Sequence, residues 1–362
     1  MTFRQLGLSI YPDHSIPQED EAYLKLGCQY GFSRLFMSML EVGDIAETKA
    51  KYQHIIQVAK DLGYQTMIDI SPRIFDQLGI SYQELGFFAE LGVDGIRLDQ
   101  GFDGSTEALI SYNPYHLIIE LNMSNNVAYL DNILSYQANE PYIFGCHNFY
   151  PQVGTGLTVP FFLACSERFK KHGIHTAAFV ASQNGDQGPW NVNDGLPTLE
   201  KDRYLPIDYQ AKWLFATGLI DDVIIGNAYA SEAELQSLAA VNRYQLAFTP
   251  ELMPDIAPVE REILFGMQHF RRGDSNALVA RSTQSRVIYK TTPNAPHDSE
   301  ETFQIGDIVI GNDQFGIYKN EVQIVLEPHQ DSRKNKVGRI KPEELDLLEM
   351  LQPWTKFKFQ TK

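Results

Sequence analysis

Across roughly the first 240 residues, short apolar runs alternate with amphipathic segments. No other feature narrows the possible folds as much, because regular strand-then-helix alternation implies a parallel sheet covered by helices. Strands are expected at 3–10, 34–38, 65–70, 95–99, 117–122, 143–148, 176–181 and 222–226. Helices are expected at 17–27, 44–62, 81–91, 125–137, 159–172, 207–217 and 231–240. Eight units in this length match a closed (β/α)8 TIM barrel. An open doubly wound sheet is the competing fold, and it carries a glycine-rich phosphate turn after strand one. That turn here is Tyr11-Pro-Asp-His-Ser15, so the barrel is preferred.

Near residues 248–258 the texture changes. Three prolines mark a linker or edge segment. Beyond it, short β-like runs at 277–281, 286–289, 308–310, 316–318 and 321–324 are separated by Gly, Asn and Asp turns, and a helix is expected at 342–351. The expected division is a catalytic barrel over 1–245 and a smaller, mainly β domain over 246–362.

In a barrel of this kind the chemistry sits at the C-terminal ends of the strands. Those ends collect Ser9 and Tyr11, Arg34 and Ser38, Asp69, Arg97 and Asp99, Glu120 and Asn122, Asn148 and Tyr150. Glu120 follows three apolar residues, and Asn122 lies two further on, on the same side of the strand. They form either a structural hydrogen-bonded pair or the polar floor of a site, and the company of the other strand ends favours a site.

Asp69, Asp99 and Glu120 are the candidate catalytic carboxylates, since two positioned carboxyl groups are the usual equipment for breaking a glycosidic bond. Neighbouring strands lie ~4.8 Å apart. Asp99 and Glu120 therefore suit a retaining pair, and Asp69 and Glu120 an inverting one. The sequence does not choose between them. Arg97 is expected to keep a neighbouring carboxylate charged, and Glu120, arriving from an apolar run, is expected to carry the proton. Ser9, Tyr11, Arg97, Asn122, Asn148 and Tyr150 are candidate substrate-binding residues. Trp190, in the long polar loop 182–202, is a candidate sugar-stacking platform or a packed loop tryptophan.

The formal net charge of −16 argues against nucleic acid as a main partner. Residues 1–249 hold 15 basic and 29 acidic residues, a net of −14, and residues 250–362 hold 15 and 17, a net of −2. The C-terminal third is thus relatively rich in positive groups. Three widely spaced cysteines and scattered histidines offer no disulfide framework and no metal-ligand spacing. No metal or cofactor is expected. No apolar run approaches the ~18 residues of a membrane span, and the N-terminus reads as a first strand, so a soluble cytoplasmic protein is expected. The oligomeric state stays open.

Leu8-Ser-Ile-Tyr-Pro12, His147-Asn-Phe-Tyr-Pro151 followed by Thr155-Gly-Leu157, and Gly195-Leu-Pro-Thr-Leu-Glu200 with Arg203 together resemble the 6-phospho-N-acetylmuramidase family. The resemblance runs through essentially the whole chain. It implies that the small domain is cyclophilin-like. It also implies an intracellular glycosidase of cell-wall recycling that splits 6-phospho-MurNAc-β-1,4-GlcNAc into MurNAc 6-phosphate and GlcNAc. A phosphorylated disaccharide as partner makes sense of the charge distribution, since a phosphate dianion needs local cations in so acidic a protein. Arg281, ending an apolar run, is the expected phosphate ligand. Arg286 and Lys290 are expected on neighbouring β-runs, with the small domain folding over the barrel mouth. The run Arg333-Lys-Asn-Lys-Val-Gly-Arg339 reads as solvated surface. Two other readings remain: a non-catalytic carbohydrate-binding or scaffold protein on a degenerate barrel, and a different barrel enzyme such as an aldolase. The aldolase would want a strand-end lysine, and none is seen.

Overall fold

A computed structural model of the chain describes residues 3–39, 42, 44–78, 84–299 and 301–361. The chain divides into two compact units, residues 1–241 and 242–362.

In the first unit eight parallel strands close into a barrel in sequence order. They are β1 (Gln5–Ile10), β2 (Arg34–Ser38), β3 (Gln65–Ile70), β4 (Gly95–Leu98), β5 (Ile118–Asn122), β6 (Ile143–Cys146), β7 (His175–Val180) and β8 (Asp222–Ile225). Pairing of β1 with both β2 and β8 closes the ring. The intervening helices are α1 (Pro17–Gln29), α2 (Ile45–Asp61), α3 (Pro72–Leu78), α4 (Gly86–Leu91), α5 (Ser105–Ile110), α6 (Tyr129–Ser135), α7 (Val159–Lys170), α8 (Ile207–Ala216) and α9 (Glu232–Ala239).

Local chemistry sets these boundaries. Pro17 opens α1 where its missing N–H costs nothing. The Asp44 side chain accepts from the Glu47 N–H at 3.0 Å and caps α2, which ends before Gly63 at φ +85°. Ser231 and Glu234 form a reciprocal cap on α9. Gly226 ends β8 because a Cβ there would sit 2.3 Å from the Leu196 carbonyl oxygen, so the loop after β7 can lie directly on it.

Helices α3 and α5 were not expected: each is a short piece inside a strand-to-strand connection read as loop. The helix expected at 81–91 begins at Gly86, and positions 81–83 lie outside the described residues. The helix expected at 125–137 shrinks to α6.

Residues paired across a parallel ladder face the same side, and here one inward row runs around the barrel: Ser38 opposite Asp69, Asp69 opposite Arg97, and Arg97 opposite Glu120. Phe36 and Phe179 also turn inward and meet Phe149 edge-on at centroid distances of 5.9 and 5.0 Å. The barrel interior is therefore a packed core with charged groups built into it.

The second unit is mainly β. Its strands are β9 (Leu246–Phe248), β10 (Pro250–Leu252), β11 (His269–Phe270), β12 (Val279–Ser282), β13 (Asp307–Gly311), β14 (Val322–Val325), β15 (Lys334–Ile340) and β16 (Lys356–Phe359). One sheet has the order β10-β15-β13-β14-β12, and a three-stranded sheet has the order β11-β16-β9. Two helices, α10 (Pro258–Phe265) and α11 (Gln284–Ile288), accompany them. The proline-rich segment becomes β10, an edge strand, where proline is tolerated.

Three expectations are corrected here. The β-run at 286–289 falls on α11, so Arg286 is helical and Lys290 lies just past the helix. Residues 316–318 belong to a 3-10 turn. The basic run 333–339 is largely β15, between β10 and β13, because acids neutralise its cations. Lys336 lies 3.1 Å from Asp307, and Arg333 lies 2.8 Å from Asp331. The helix expected at 342–351 is present as 3-10 turns over Pro342–Met350.

Candidate active site

β3 ends in an apolar-flanked aspartate, Asp69, and the chain then turns through Ser71 into α3, whose second residue is Arg73. β4 delivers Arg97 and, one residue past its end, Asp99. These strand ends line a cavity of about 900 Å³, the size of a small-ligand site. Its wall also includes Asp13 and His14 from the turn after β1, Lys51 from α2, and Trp190 from the loop after β7. His14 Nε2 lies 3.0 Å from the Pro189 carbonyl oxygen and so ties that loop to the β1 turn. Trp190 is 52% exposed and packs beside Phe149 at 6.0 Å. It is both a packed loop residue and a surface open to the cavity.

Arg97 organises the acids. It is buried, and it donates from Nη1 to Asp69 Oδ1 at 2.6 Å and from Nη2 to the Asn148 side-chain oxygen. Nη1 also lies 3.8 Å from Asp99 Oδ1, so the two carboxylate oxygens are at most about 6.4 Å apart. Asn122 donates to the Asp99 carbonyl at 3.1 Å and accepts from the Ser124 N–H at 2.9 Å, which fixes the backbone below Asp99.

Burial pushes the Asp69 carboxyl up to about 6, against the pull of the Arg97 charge, with Asp99 adding to the rise. Arg97 pulls the Asp69 carboxyl down, as expected of it, but desolvation outweighs the ion pair and the net shift is upward. An acid of this strength, 16% accessible on a cavity wall, can both hold and release a proton near neutrality.

Glu120 is placed differently. It is fully buried, its Oε1 accepts from Arg34 Nη2, and it does not line the cavity. Arg34 also donates to Asp222 at 2.6 Å, and His175 Nε2 lies 2.7 Å from the same carboxylate. The sequence reading put Glu120 beside the substrate. The structure pairs its Oε1 with Arg34 inside the barrel and leaves its Oε2 buried without a hydrogen-bond partner.

The remaining candidates separate in the same way. Ser9 is fully buried, and Tyr11 donates its hydroxyl to the Gly226 carbonyl at 2.5 Å, so neither lines the cavity. Arg97, Asn122 and Asn148 hold the acids in place and do not line it either. Tyr150 accepts from Arg203 at its carbonyl and packs outside the lining. In the second unit, Arg281 donates from Nε and Nη2 to Glu321 at 2.7 and 3.1 Å. Arg286 lies 3.1 Å from the same carboxylate, and both guanidiniums stack over Tyr318.

Sequence reading did not single out Arg73, Lys51 or His14 as site residues. Arg73 follows a strand-end Asp-Ile-Ser-Pro by one residue, which is the signal that marks it. Among the described residues no group of His, Cys, Asp and Glu is arranged to hold a metal ion, and no helix is long and apolar enough to cross a membrane.

Residues 6–240 match the model of the 6-phospho-N-acetylmuramidase N-terminal region, and residues 246–360 match that of its C-terminal region. The chain belongs to the 6-phospho-N-acetylmuramidase family. It is accordingly a glycoside hydrolase, with the eight-stranded barrel and smaller β unit described above. No curated protein matches it. Among solved structures, an uncharacterized Bacillus cereus protein is 49% identical, with 99% of each chain covered and a TM-score of 0.92. A conserved Enterococcus faecalis protein of unknown function is 26% identical over 99% of this chain and 96% of its own, with a TM-score of 0.69.

Proposed function

We propose that the enzyme hydrolyses 6-phospho-MurNAc-β-1,4-GlcNAc to MurNAc 6-phosphate and GlcNAc, with Asp69 as general acid and Asp99 as its partner. The observation that carries this reading is that Asp69 and Asp99 share the cavity wall and both face the guanidinium of Arg97, with the Asp69 carboxyl raised to about 6. Asp69 gives its proton to the O4 leaving oxygen of GlcNAc as the bond to C1 breaks. The two oxygens that face Arg97 Nη1 are at most about 6.4 Å apart, which is compatible with a retaining pair, and a retaining course is the one proposed. Asp99 then attacks C1 to form a glycosyl-enzyme ester. Asp69, now a carboxylate, takes a proton from water as it attacks that ester, and both carboxyl groups return to their starting states. Glu120 acts from behind, by holding Arg34 and the barrel interior in place.

Trp190 offers a ring face on which a sugar can stack. The cell-wall recycling role and the cytoplasmic location belong to this proposal. A non-catalytic sugar-binding role has less support, since binding alone needs no carboxyl raised to about 6.

The test is incubation with a 6-phosphomuramyl β-glycoside, followed by NMR of the first-formed sugar. The expected product is the β-anomer of MurNAc 6-phosphate. The α-anomer would refute the retaining pair, and no cleavage would refute the substrate.

A further inference from the structure

A muramyl 6-phosphate residue carries two oxyanions, the phosphate and the lactyl carboxylate. The cavity proposed to receive it is acidic, with Asp13, Asp44, Glu47, Asp69 and Asp99 on its wall against Lys51 and Arg73. Most of these groups are already engaged. Lys51 Nζ lies 3.0 Å from Asp13, and Asp44 caps α2. Arg97, the nearest buried cation, gives its hydrogens to Asp69 and Asn148 and does not reach the lining. Arg73 is different. It is exposed on the cavity wall and has no hydrogen-bond or ion-pair partner among the described residues.

A guanidinium with no partner among the described residues, in an acidic cavity and four residues along the chain from the proposed acid, is where an anionic sugar meets a complementary charge. Its planar fork suits a carboxylate or a phosphate equally. We propose that Arg73 receives an oxyanion of the muramyl residue and so selects the charged sugar over its neutral analogue. This inference rests on the proposed substrate and adds to it a specificity residue in the barrel itself.

The experiment compares wild type, Arg73→Gln and Arg73→Lys on four 4-nitrophenyl β-glycosides: those of MurNAc 6-phosphate, MurNAc, GlcNAc 6-phosphate and GlcNAc. Arg73→Gln should lower kcat/KM about 10- to 100-fold on the glycosides bearing the recognised anion and much less on the others. Arg73→Lys should recover part of that loss. A loss following the lactyl group identifies the carboxylate as the ligand, and a loss following the phosphate identifies the phosphate. An equal fall on all cleaved glycosides, or no fall at all, overturns the assignment while leaving the substrate reading intact. If the wild type cleaves none of the four, the substrate reading itself fails and Arg73 falls with it. Thermal unfolding of each variant guards against a general folding defect, which the exposure of Arg73 makes a remote concern.

Discussion

Replacing Arg97 with Met should move the pH at which activity disappears. In the wild type, burial raises the Asp69 carboxyl to about 6 although Arg97 pulls it down through a 2.6 Å hydrogen-bonded ion pair. An opposite charge at such range lowers a carboxylate pKa by about 1–3 units. Its removal leaves desolvation unopposed, so the Asp69 pKa should rise to somewhere near 7–9. A general acid works only while protonated, so kcat/KM falls as pH rises through its pKa. The falling limb should therefore shift upward by about 1–3 pH units in the variant. The wild-type profile alone does not decide the matter, because a sugar phosphate also ionises near pH 6. The shift does decide it, since the substrate is the same for both proteins. Arg97→Lys, keeping the charge without the fork, should shift the limb less. A limb that stays near 6 in Arg97→Met would show that Asp69 is not the group that titrates.

Two further outcomes follow from the buried networks. Glu120→Ala should cost about 3–5 kcal/mol in urea unfolding, because Arg34 is left partly unpaired inside the barrel. The folded fraction should keep its catalytic cycle, and a fully folded but inactive Glu120→Ala protein would return Glu120 to the reacting centre. In the second unit, partial burial disfavours the charged form of His297. Its contacts with Asp298 and with the buried Glu260 carboxylate, at 2.8 Å, nevertheless hold its pKa above the usual histidine value. A raised folded pKa means that the stabilisation is present below pH ~6.5 and lost as pH rises through the folded value. His297→Gln should therefore lower Tm at pH 5.5 and have little effect at pH 9, and equal losses at both would contradict the pairing.

The barrel was legible because its signal is repeated: eight apolar runs recur at regular spacing, seven of them followed by a recognisable amphipathic segment, and the repetition outweighs the helix missed after the fourth. The second unit was read less well. β15 combines Lys334, Lys336 and Arg339 with buried Asn335 and Val337, and only the partners Asp307, Glu260 and Asp331 make such a strand stable. Those partners are remote in sequence, so the run looked like solvated surface. The same limit governs the site. Strand-end position identified Asp69, Asp99 and Glu120 as a group. What separates Glu120 from the other two is Arg34, which reaches it from a strand 86 residues earlier. Arg73 was missed because it lies on a helix that propensity did not announce.

The most direct test of the acid assignment uses two leaving groups on Asp69→Asn. The 2,4-dinitrophenyl β-glycoside of MurNAc 6-phosphate expels 2,4-dinitrophenolate without a proton, whereas the GlcNAc O4 of the natural disaccharide must be protonated to leave. The variant should keep its kcat/KM on the activated glycoside within about tenfold and lose about 100- to 10,000-fold on the disaccharide. Equal losses on both substrates would contradict Asp69 as the proton donor.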